Sequence, residues 1–395
     1  MSDSTEDRLL DRPRNPGRPP VPTERRRVLF VINSMAGGGA ERVMATLLAA
    51  SAPQRERADI RLVLLDDEPA AYAPPDWIPT IQLDSRGEFA RSVAGLARTL
   101  RTVRPHATVS FLTRANLCNV MTVRWFGHKA VISERVNSSA HFGTGAKAAL
   151  SKLSLRMSYP RAQAVIAPSA GVAEDLVENF GVAAGRISVI ANPVDVAAIR
   201  AMAERPVAPP VTTPYIVAIG RLTANKNFAT LIEAYARTTI EPSLVILGQG
   251  PLEDTLRRQI AERRLGGRVI LAGFRDNPFA IMRGALAYVS ASRSEGFPNS
   301  LVEAMAVGLP VISSNCPSGP SEILAEKPRS AVTGLDHAAH GILVPVDDVD
   351  ALAQALRSLA DSALRERYAQ AARARVERYD VAGAMRQYWD VIDAV

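Results

Sequence analysis

SRSEGFPNSLVEAMA, residues 292–306, joins a predicted strand to a predicted helix. A short apolar run precedes the turn, and Asn299 or Ser300 is predicted to cap the helix that follows it. N–H groups at a helix N-terminus favour anions, whereas carboxylates such as Glu295 and Glu303 accept hydrogen bonds from hydroxyls. The turn therefore suits a ligand that carries both hydroxyl groups and negatively charged oxygens.

The next loop along the chain strengthens this interpretation. By themselves, Glu303 is equally well explained as a helix cap and Glu295 as a solvated loop charge. After a second short strand, however, residues 315–320 read NCPSGP, another polar loop shaped by glycine and proline, and another helix follows. In open parallel sheets the ligand lies outside the carboxyl ends of the strands, so two such loops in succession predict a ligand cleft.

Length and composition limit the class of protein. The chain of 395 residues is too long for one ordinary core, which predicts two domains. Its aromatic content of 5% argues against a base-stacking nucleic-acid platform. No uninterrupted apolar run reaches the roughly 18 residues of a membrane span. The two cysteines, Cys118 and Cys316, cannot form a disulfide framework, which predicts a reducing, cytoplasmic location.

The charge balance predicts an anionic partner. The net charge is +7 and the pI is near 9.7, which leaves nucleic acid, an anionic membrane face and phosphorylated substrates as candidates. The helix predicted over residues 146–159 is the strongest membrane candidate. It places Leu150, Leu153 and Met157 on one face, with Lys152 roughly opposite. Packing of that apolar face into the core explains the pattern equally well.

A glycine-rich loop follows the first predicted strand. The strand, VLFVI at residues 28–32, is continuously apolar, as in a parallel sheet that is buried on both faces. Gly37, Gly38 and Gly39 lead from it into a helix, and such a loop lets a phosphate or substrate approach the backbone closely. A tight turn explains three glycines equally well, and neither G-x-G-x-x-G nor the Lys-Ser/Thr of a P-loop is present.

Two cations lie near the start of the second half. A Pro-rich linker is predicted over residues 201–214, and GRLTANKN at 220–227 then carries Arg221 and Lys226 from a strand end toward a helix. Arginine binds phosphate oxygens through its planar fork and lysine binds them as a point charge, so the pair would neutralise a diphosphate. A charged surface loop is the alternative.

Taken together, these segments resemble the retaining glycosyltransferases of family 4. The stretch from Glu295 to Glu303 is similar to that family's E-x7-E signature. GRLTANKN resembles its phosphate-binding element, and GGGAER at residues 37–42 resembles its N-terminal loop. The resemblance covers nearly the whole chain after residue 27. It implies an α/β protein with the GT-B fold, in which two Rossmann-like domains face each other across a cleft and the last helix crosses back onto the first domain.

The implied domain organisation follows the chain in five segments. They are a disordered basic and Pro-rich tail at 1–26, an acceptor-binding domain at 27–200, a linker at 201–214, a nucleotide-sugar-binding domain at 215–378, and a helix that packs back on the first domain at 379–395.

The resemblance also implies roles for the matching residues. Glu295 and the backbone N–H groups after it would hold the donor sugar, Glu303 would hold the ribose, and Arg221 and Lys226 would hold the diphosphate. The remaining implied substrate contacts come from loops and turns: Gly38, Gly39, Gly220, Gly248, Gly250, Phe274, Phe297, Pro298, Asn299, Ser300 and Leu301. Since Pro298 has no N–H group, it can only shape its loop.

One strand end departs from the family's pattern. Much of the family has a histidine in this part of the acceptor domain, where this chain has Ser133, Glu134 and Arg135. Charges at the carboxyl end of a buried strand point toward a cleft, which makes Glu134 a candidate to assist the chemistry and Arg135 a candidate phosphate contact. A structural salt bridge is the alternative.

The implied reaction moves a hexose or N-acetylhexosamine from a nucleotide sugar, with a UDP-sugar favoured, to a glycan or a polyprenyl-diphosphate-linked sugar. The anomeric configuration would be retained, and the product would serve cell-surface polysaccharide or glycoconjugate synthesis. Neither a metal nor a cofactor is expected. The expected partners are the donor, the acceptor and an anionic membrane surface, with no nucleic acid, and peripheral attachment to the inner face of the plasma membrane remains open.

Two other functions make different demands on the sequence. A nicotinamide-dependent oxidoreductase would need G-x-G-x-x-G after its first strand, which is absent. A catalytically weak sugar-nucleotide-binding protein has no need of Glu295, Glu303, Arg221 and Lys226 together, and all four are present.

Overall fold

The computed structural model describes residues 25–143 and 145–395. The tail predicted over residues 1–26 lies outside this part of the chain except for its last two residues, and Arg26 already belongs to the first strand.

The first domain is a parallel sheet with helices around it. Its strands are β1 (Arg26–Ile32), β2 (Ala58–Leu64), β3 (Thr80–Gln82), β4 (Ala107–Phe111), β5 (Lys129–Ser133), β6 (Ala164–Ala167) and β7 (Ile187–Val189). They pair in the order β3-β2-β1-β4-β5-β6-β7, and every pairing is parallel. The connecting helices are α1 (Gly39–Ala50), α2 (Phe89–Val103), α3 (Thr113–Phe126), α4 (Ser138–Phe142), α5 (Ala146–Ser158) and α6 (Ala170–Phe180). The central strands β1 and β4 are buried over most or all of their length because helices cover both faces of the sheet.

The second domain repeats this design. Its strands are β8 (Tyr215–Ile219), β9 (Ser243–Leu247), β10 (Val269–Gly273), β11 (Tyr288–Ser290), β12 (Val311–Ser314), β13 (Asp336–Ala338) and β14 (Gly341–Val344). Their order is β10-β9-β8-β11-β12-β14-β13, and only β13 pairs in the antiparallel sense. The helices are α7 (Val196–Ala203), α8 (Phe228–Ala236), α9 (Glu253–Glu262), α10 (Pro278–Arg283), α11 (Asn299–Val307), α12 (Pro320–Leu324), α13 (Val349–Ser358), α14 (Ser362–Val376) and α15 (Val381–Asp393). Two Rossmann-like α/β domains, as predicted, are confirmed.

The chain enters the second domain before α7. This helix packs on α10 and α11, and Val194, Ile199 and Ala203 belong to the core beneath the second sheet. The linker predicted over residues 201–214 is therefore misplaced. Its prolines mark a surface connection between α7 and β8, whereas the apolar side of α7 already belongs to the second core.

The last helix, α15, returns to the first domain. It packs against α1, and Ala384, Tyr388, Trp389 and Ile392 enter the core of the first sheet. The indole Nε1 of Trp389 donates to the hydroxyl of Ser51 at 3.1 Å. Burial of two large aromatic side chains holds this end of the second half against the first domain.

The two domains touch along the carboxyl ends of their strands. The hydroxyl of Ser169, at the start of α6, donates to the carbonyl oxygen of Gly296 at 2.8 Å. From the second domain, the carboxylate of Glu322 accepts the backbone N–H groups of Ala170 at 2.7 Å and Gly171 at 3.0 Å. Since a carboxylate suits a helix N-terminus, Glu322 stabilises α6 from across the domain boundary.

Candidate active site

The loop after β8 and the loop after β11 form one charged cluster. The ammonium of Lys226 lies 2.5 Å from Oε1 of Glu295, and both side chains are largely buried. The amide of Asn225 donates to the carbonyl oxygen of Ser294 at 2.8 Å, which fixes the two loops to each other. Burial works to lower the pKa of Lys226, but the adjacent Glu295 outweighs it and the pKa is raised. Lys226 is therefore a firmly charged cation at the centre of this edge.

Arg221 lies in the same loop and remains exposed. The turn beneath it is built by backbone contacts: the N–H of Gly220 donates to Leu247 at 3.0 Å, and the N–H of Gly248 donates to Gly273 at 2.8 Å. A Cβ on Gly248 would collide with the carbonyl group of Gly220, so only glycine allows the loops after β8 and β9 to approach so closely. This close packing leaves the Arg221 side chain above the strand ends.

The turns assigned to the nucleotide lie at the same edge. Gly250 packs against the backbone of Leu222, and Phe274 follows β10 with 65% of its surface exposed. An exposed aromatic ring beside polar loops is able to stack on a planar base. The substrate contact predicted for Phe274 stays a prediction.

α11 begins without a side-chain cap, so the predicted capping by Asn299 or Ser300 is wrong. Oδ1 of Asn299 instead accepts from Nδ2 of Asn192 at 2.7 Å, and the hydroxyl of Ser300 bonds that of Tyr288 at 2.7 Å. The backbone N–H of Asn299 donates to the carbonyl oxygen of Phe297 at 2.9 Å. Side chains that could cap the helix are used to hold it against neighbouring elements.

The segment between the two glutamates is tightly confined. Phe297 is buried, Leu301 lies in the core, and the ring of Pro298 packs beside Gly319 of the next loop. A Cβ on Gly296 would collide with the carbonyl group of Arg135 in the other domain. The loop is therefore rigid and in direct contact with the first domain.

Glu303 lies on α11 and faces the first domain. Its Oε1 forms a salt bridge with Nη1 of Arg42, on α1, at 2.7 Å, and the carboxylate is nearly buried. Burial raises the pKa of Glu303, and the charges of Arg42 and Lys226 act in the opposite direction. Glu303 therefore functions here as an interdomain ion-pair partner and not as a helix cap.

The glycine-rich loop reaches the same place. Gly38 precedes α1 and Gly39 begins it, and a Cβ on Gly39 would collide with the side-chain amide of Asn299. The two helix starts, of α1 and α11, therefore meet at the cleft. Burial raises the pKa of Glu41 on the same helix, and the charge of Arg221 across the cleft acts against this shift.

Glu134 does not lie open to the cleft. Only 1% of its surface is exposed, its Oε2 accepts from the hydroxyl of Tyr159 at 2.5 Å, and its Oε1 accepts from the N–H of Arg135 at 2.9 Å. Burial raises its pKa, and the Tyr159 hydrogen bond acts in the opposite direction. A carboxylate so enclosed cannot reach a substrate without rearrangement, so this geometry does not favour the catalytic role predicted for it.

Arg135 is likewise enclosed, by neutral groups. Its Nη1 donates to the hydroxyls of Ser133 and Tyr388, each at 3.0 Å, and its Nη2 donates to Oδ1 of Asn192. Its guanidinium also lies 4.9 Å from the centre of the Phe111 ring. The alternative of a side-chain salt bridge between Arg135 and Glu134 is wrong, because the guanidinium bonds to these neutral partners instead. These contacts use three of the five N–H groups of Arg135, and the phosphate contact predicted for this residue stays a prediction.

The contacts of three residues in this region were not predicted from the sequence. Arg42 belongs to GGGAER, but nothing in the sequence pairs it with Glu303. Asn192 stands in an Asn-Pro turn that indicated only a hinge, and Tyr388 lies 253 residues from Arg135. The only signal available was that each lies at a helix start, a strand end or on the terminal helix.

A separate cavity lies away from these residues. Its volume is about 900 Å³, and α7, α11 and α14 line it at the amino ends of β11 and β12, through residues such as Arg283, Leu309 and Arg373. None of the predicted site residues lines it, so the chemistry is assigned to the cleft.

Family models match both halves of the chain. Residues 37–198 match Glycosyltransferase Family 4, and residues 202–375 match Glycosyl transferases group 1. No helix in the described part of the chain combines the length and apolarity needed to cross a membrane.

Curated relatives carry transferase names. The N-acetylgalactosamine-N,N'-diacetylbacillosaminyl-diphospho-undecaprenol 4-alpha-N-acetylgalactosaminyltransferase of Campylobacter jejuni is 31% identical over 364 residues, which are 88% of this chain and 94% of that protein. The lipopolysaccharide 1,6-galactosyltransferase of Salmonella typhimurium is 35% identical over 167 residues, or 40% of this chain and 45% of that protein.

Solved structures share the fold at low identity. Anabaena Alr3699/HepE in complex with UDP superposes with a TM-score of 0.74 at 21% identity, over 93% of this chain and all of that one. The sucrose-phosphate synthase of Thermosynechococcus elongatus gives 0.76 at 19% identity, over 94% of this chain and all of that one.

Proposed function

Because the chain belongs to glycosyltransferase family 4 and has the GT-B fold, we propose that it transfers a hexose or N-acetylhexosamine from a UDP-sugar with retention at the anomeric carbon. The proposed acceptor is a glycan or a lipid-linked sugar. The C. jejuni relative's name specifies a diphospho-undecaprenol acceptor, and the S. typhimurium relative is named for lipopolysaccharide. Their names support the acceptor class.

The observation that carries the proposal is the ion pair between Lys226 and Glu295, with Arg221 beside it and Glu303 on the helix that follows. Cations bind the diphosphate best, whereas carboxylates accept hydrogen bonds from the hydroxyls of the sugar and the ribose. A nucleotide sugar presents these groups in the same order. The cations therefore match the diphosphate of this ligand, and the carboxylates match its sugar and ribose hydroxyls.

In the proposed reaction, the negative charge of the leaving group develops close to these cations. The bond between the anomeric carbon and the diphosphate oxygen breaks, and the leaving group keeps the electron pair. The acceptor oxygen bonds to the same face of the sugar, and its proton passes to a diphosphate oxygen. Lys226 and Arg221 would stabilise the negative charge that grows on the leaving group, which is the largest electrostatic contribution available to this site. We propose that this replaces the need for a metal or cofactor.

We further propose that the first domain docks on the inner face of the plasma membrane. On α5, the side chains of Leu150, Leu153 and Met157 are 65%, 52% and 57% exposed, so the core does not cover this face. On α3, which contacts α5, Met121 and Trp125 are exposed as well. Two exposed basic residues that suit anionic lipid lie on the same two helices: Arg124 and Lys147.

Cosedimentation with vesicles tests this docking. Wild type is expected to bind vesicles that contain anionic phospholipid and to be released by salt, since charge contributes to binding. Leu150→Ser/Leu153→Ser should abolish binding, whereas Val189→Ser/Val207→Ser, which changes exposed valines elsewhere, should leave it unchanged. Equal binding by both double variants would contradict the proposal.

Thermal stabilisation by nucleotides tests the donor site. UDP and one UDP-sugar are expected to raise the Tm of wild type, because a ligand that binds only the folded state stabilises it. Lys226→Ala should lose both shifts. Glu295→Ala should keep the UDP shift but show no extra shift with the sugar. Lys327→Ala removes an exposed lysine of the same domain and serves as the matched control.

The outcomes separate the competing functions. If no nucleotide or nucleotide sugar stabilises wild type, the proposed activity is wrong. Stabilisation by a nicotinamide dinucleotide alone would favour an oxidoreductase.

A further inference from the structure

The side chain of Arg42 extends from the first domain to Glu303, the residue predicted to bind the ribose of the donor. It lies on the first turn of α1, where its N–H donates to the carbonyl oxygen of Gly38 at 3.2 Å. Its guanidinium reaches Oε1 of Glu303 at 2.7 Å, and its own side chain is 36% exposed against 9% for Glu303. The carboxylate is thus held from one side by a cation that belongs to the facing domain.

The carboxylate of Glu303 has capacity for further partners. Among residues 25–143 and 145–395, its contact with Arg42 is an ion pair to Oε1, and neither carboxylate oxygen accepts a hydrogen bond. A carboxylate oxygen accepts more than one hydrogen bond, so Glu303 keeps capacity for a hydroxyl while Arg42 stays in place.

The position of Arg42 is fixed by its surroundings. Gly39 packs directly on the amide of Asn299, and Asn299 in turn bonds Asn192 at 2.7 Å. These contacts hold the first turn of α1 against the first turn of α11. The Arg42 guanidinium also lies 6.0 Å from the centre of the Tyr72 ring, which limits its freedom on the other side. A close ion pair in such a frame restricts the orientation of its partner.

The charge state of Glu303 depends on the same contact. Burial raises the pKa of this carboxyl, and the two charged groups that act against the shift are Arg42 on α1 and Lys226 after β8. Loss of Arg42 would leave only Lys226 to oppose protonation. A protonated carboxyl is a poorer acceptor for a hydroxyl than a carboxylate is.

We propose that Arg42 is a positioning residue that holds Glu303 ionised and oriented toward the ribose hydroxyls of the donor. This inference rests on the proposed function. Ribose recognition then depends on contact between the two domains, because the group that orients Glu303 comes from the opposite side of the cleft. A donor that engages Glu303 therefore binds best when the domains are closed.

The test compares UDP with 2′,3′-dideoxy-UDP, which lacks the hydroxyls that Glu303 would accept. Arg42→Gln is expected to weaken UDP binding about tenfold, the size of one charge-assisted hydrogen bond. The same change should leave dideoxy-UDP binding nearly unaffected. Arg42→Lys should recover part of the loss, and Arg98→Gln, an exposed arginine on α2, serves as the matched control.

The pH dependence adds a readout that a purely structural role would not move. As pH falls, UDP affinity is lost when Glu303 becomes protonated. Removal of Arg42 raises the pKa of Glu303 further, so Arg42→Gln should lose UDP affinity at a higher pH than wild type does. Calorimetric titration across the pH range measures both curves.

The outcomes of this test distinguish a wrong role for Arg42 from a wrong proposed function. If wild type binds neither UDP nor another nucleoside diphosphate, the donor assignment itself fails. If wild type binds UDP and Arg42→Gln weakens both nucleotides equally, or weakens neither, the role of Arg42 is wrong and the donor assignment stands.

Discussion

The first five strands of each domain are arranged in the same order, yet the two domains use charged residues at their strand ends in opposite ways. In the second domain, Arg221 is exposed, and Lys226 and Glu295 pair with each other at the edge of the cleft. In the first domain, Glu134 and Arg135 are buried and bonded mainly to neutral groups. A charge after a strand therefore lies at the cleft in one case and belongs to the buried framework in the other.

What covers the strand ends explains the difference. In the first domain, Tyr159 lies over Glu134, and Tyr388 of the returning helix lies over Arg135. In the second domain, the corresponding loops are shaped by glycine and proline and leave their side chains beside the cleft. Burial of an ion is costly unless hydrogen bonds compensate, so the first domain surrounds its charges with hydroxyl and amide groups.

Lys226→Met breaks the charged edge of the second domain and should have the largest effect on activity. Loss of this cation removes stabilisation of the leaving diphosphate, and we expect kcat/KM to fall about 10²–10³-fold. Initial rates with the donor that stabilises wild type measure this. Because Lys226 pairs with the largely buried Glu295, urea unfolding should show some loss of stability, but one too small to account for the loss of activity. A loss of stability that matches the loss of activity would show that Lys226 is structural.

Arg135→Met tests the opposite behaviour in the first domain. It leaves Oδ1 of Asn192 without its buried donor and leaves the hydroxyls of Ser133 and Tyr388 bonded only to each other, and we expect a loss of about 2 kcal/mol in the free energy of unfolding. Urea unfolding followed by circular dichroism measures it. UDP affinity below the unfolding transition should stay close to wild type. If stability is kept and UDP binding is lost, Arg135 is a ligand contact after all.

The fold could be predicted from the sequence, and so could the placement of the second domain's candidate site residues at one edge of the sheet, because the signals are local. Apolar strands, glycine turns and the charges of Arg221, Lys226 and Glu295 all lie within short stretches. The first domain's charges could not be placed in the same way. Their fate depends on Tyr388, which is distant in the chain, and on Tyr159, whose ring the sequence does not orient.

The interdomain contacts were missed for the same reason. Asn299 fits a helix cap by local rules, but Asn192 offers it a partner from another segment. Arg42 fits a solvated helix start, but domain contact brings it to Glu303. Local preference is overruled wherever a polar side chain finds a better partner across the fold.

Of these variants, Glu134→Gln is expected to have the smallest effect. The effect is confined to the pH dependence of stability. Burial raises the folded-state pKa of Glu134 above its ordinary value of 4.5. The folded protein therefore holds a proton that the unfolded chain releases, and stability falls as pH rises from about 4.5 through the folded-state pKa. Glutamine cannot ionise, so the variant should lose this part of the slope, whatever constant cost the amide adds.

Urea unfolding at a series of pH values measures the slope, with Glu178→Gln on the exposed side of α6 as the matched control. Identical slopes for wild type and Glu134→Gln would mean that Glu134 ionises as freely as a surface carboxyl, and the contrast between the two domains would then fail at its most buried residue.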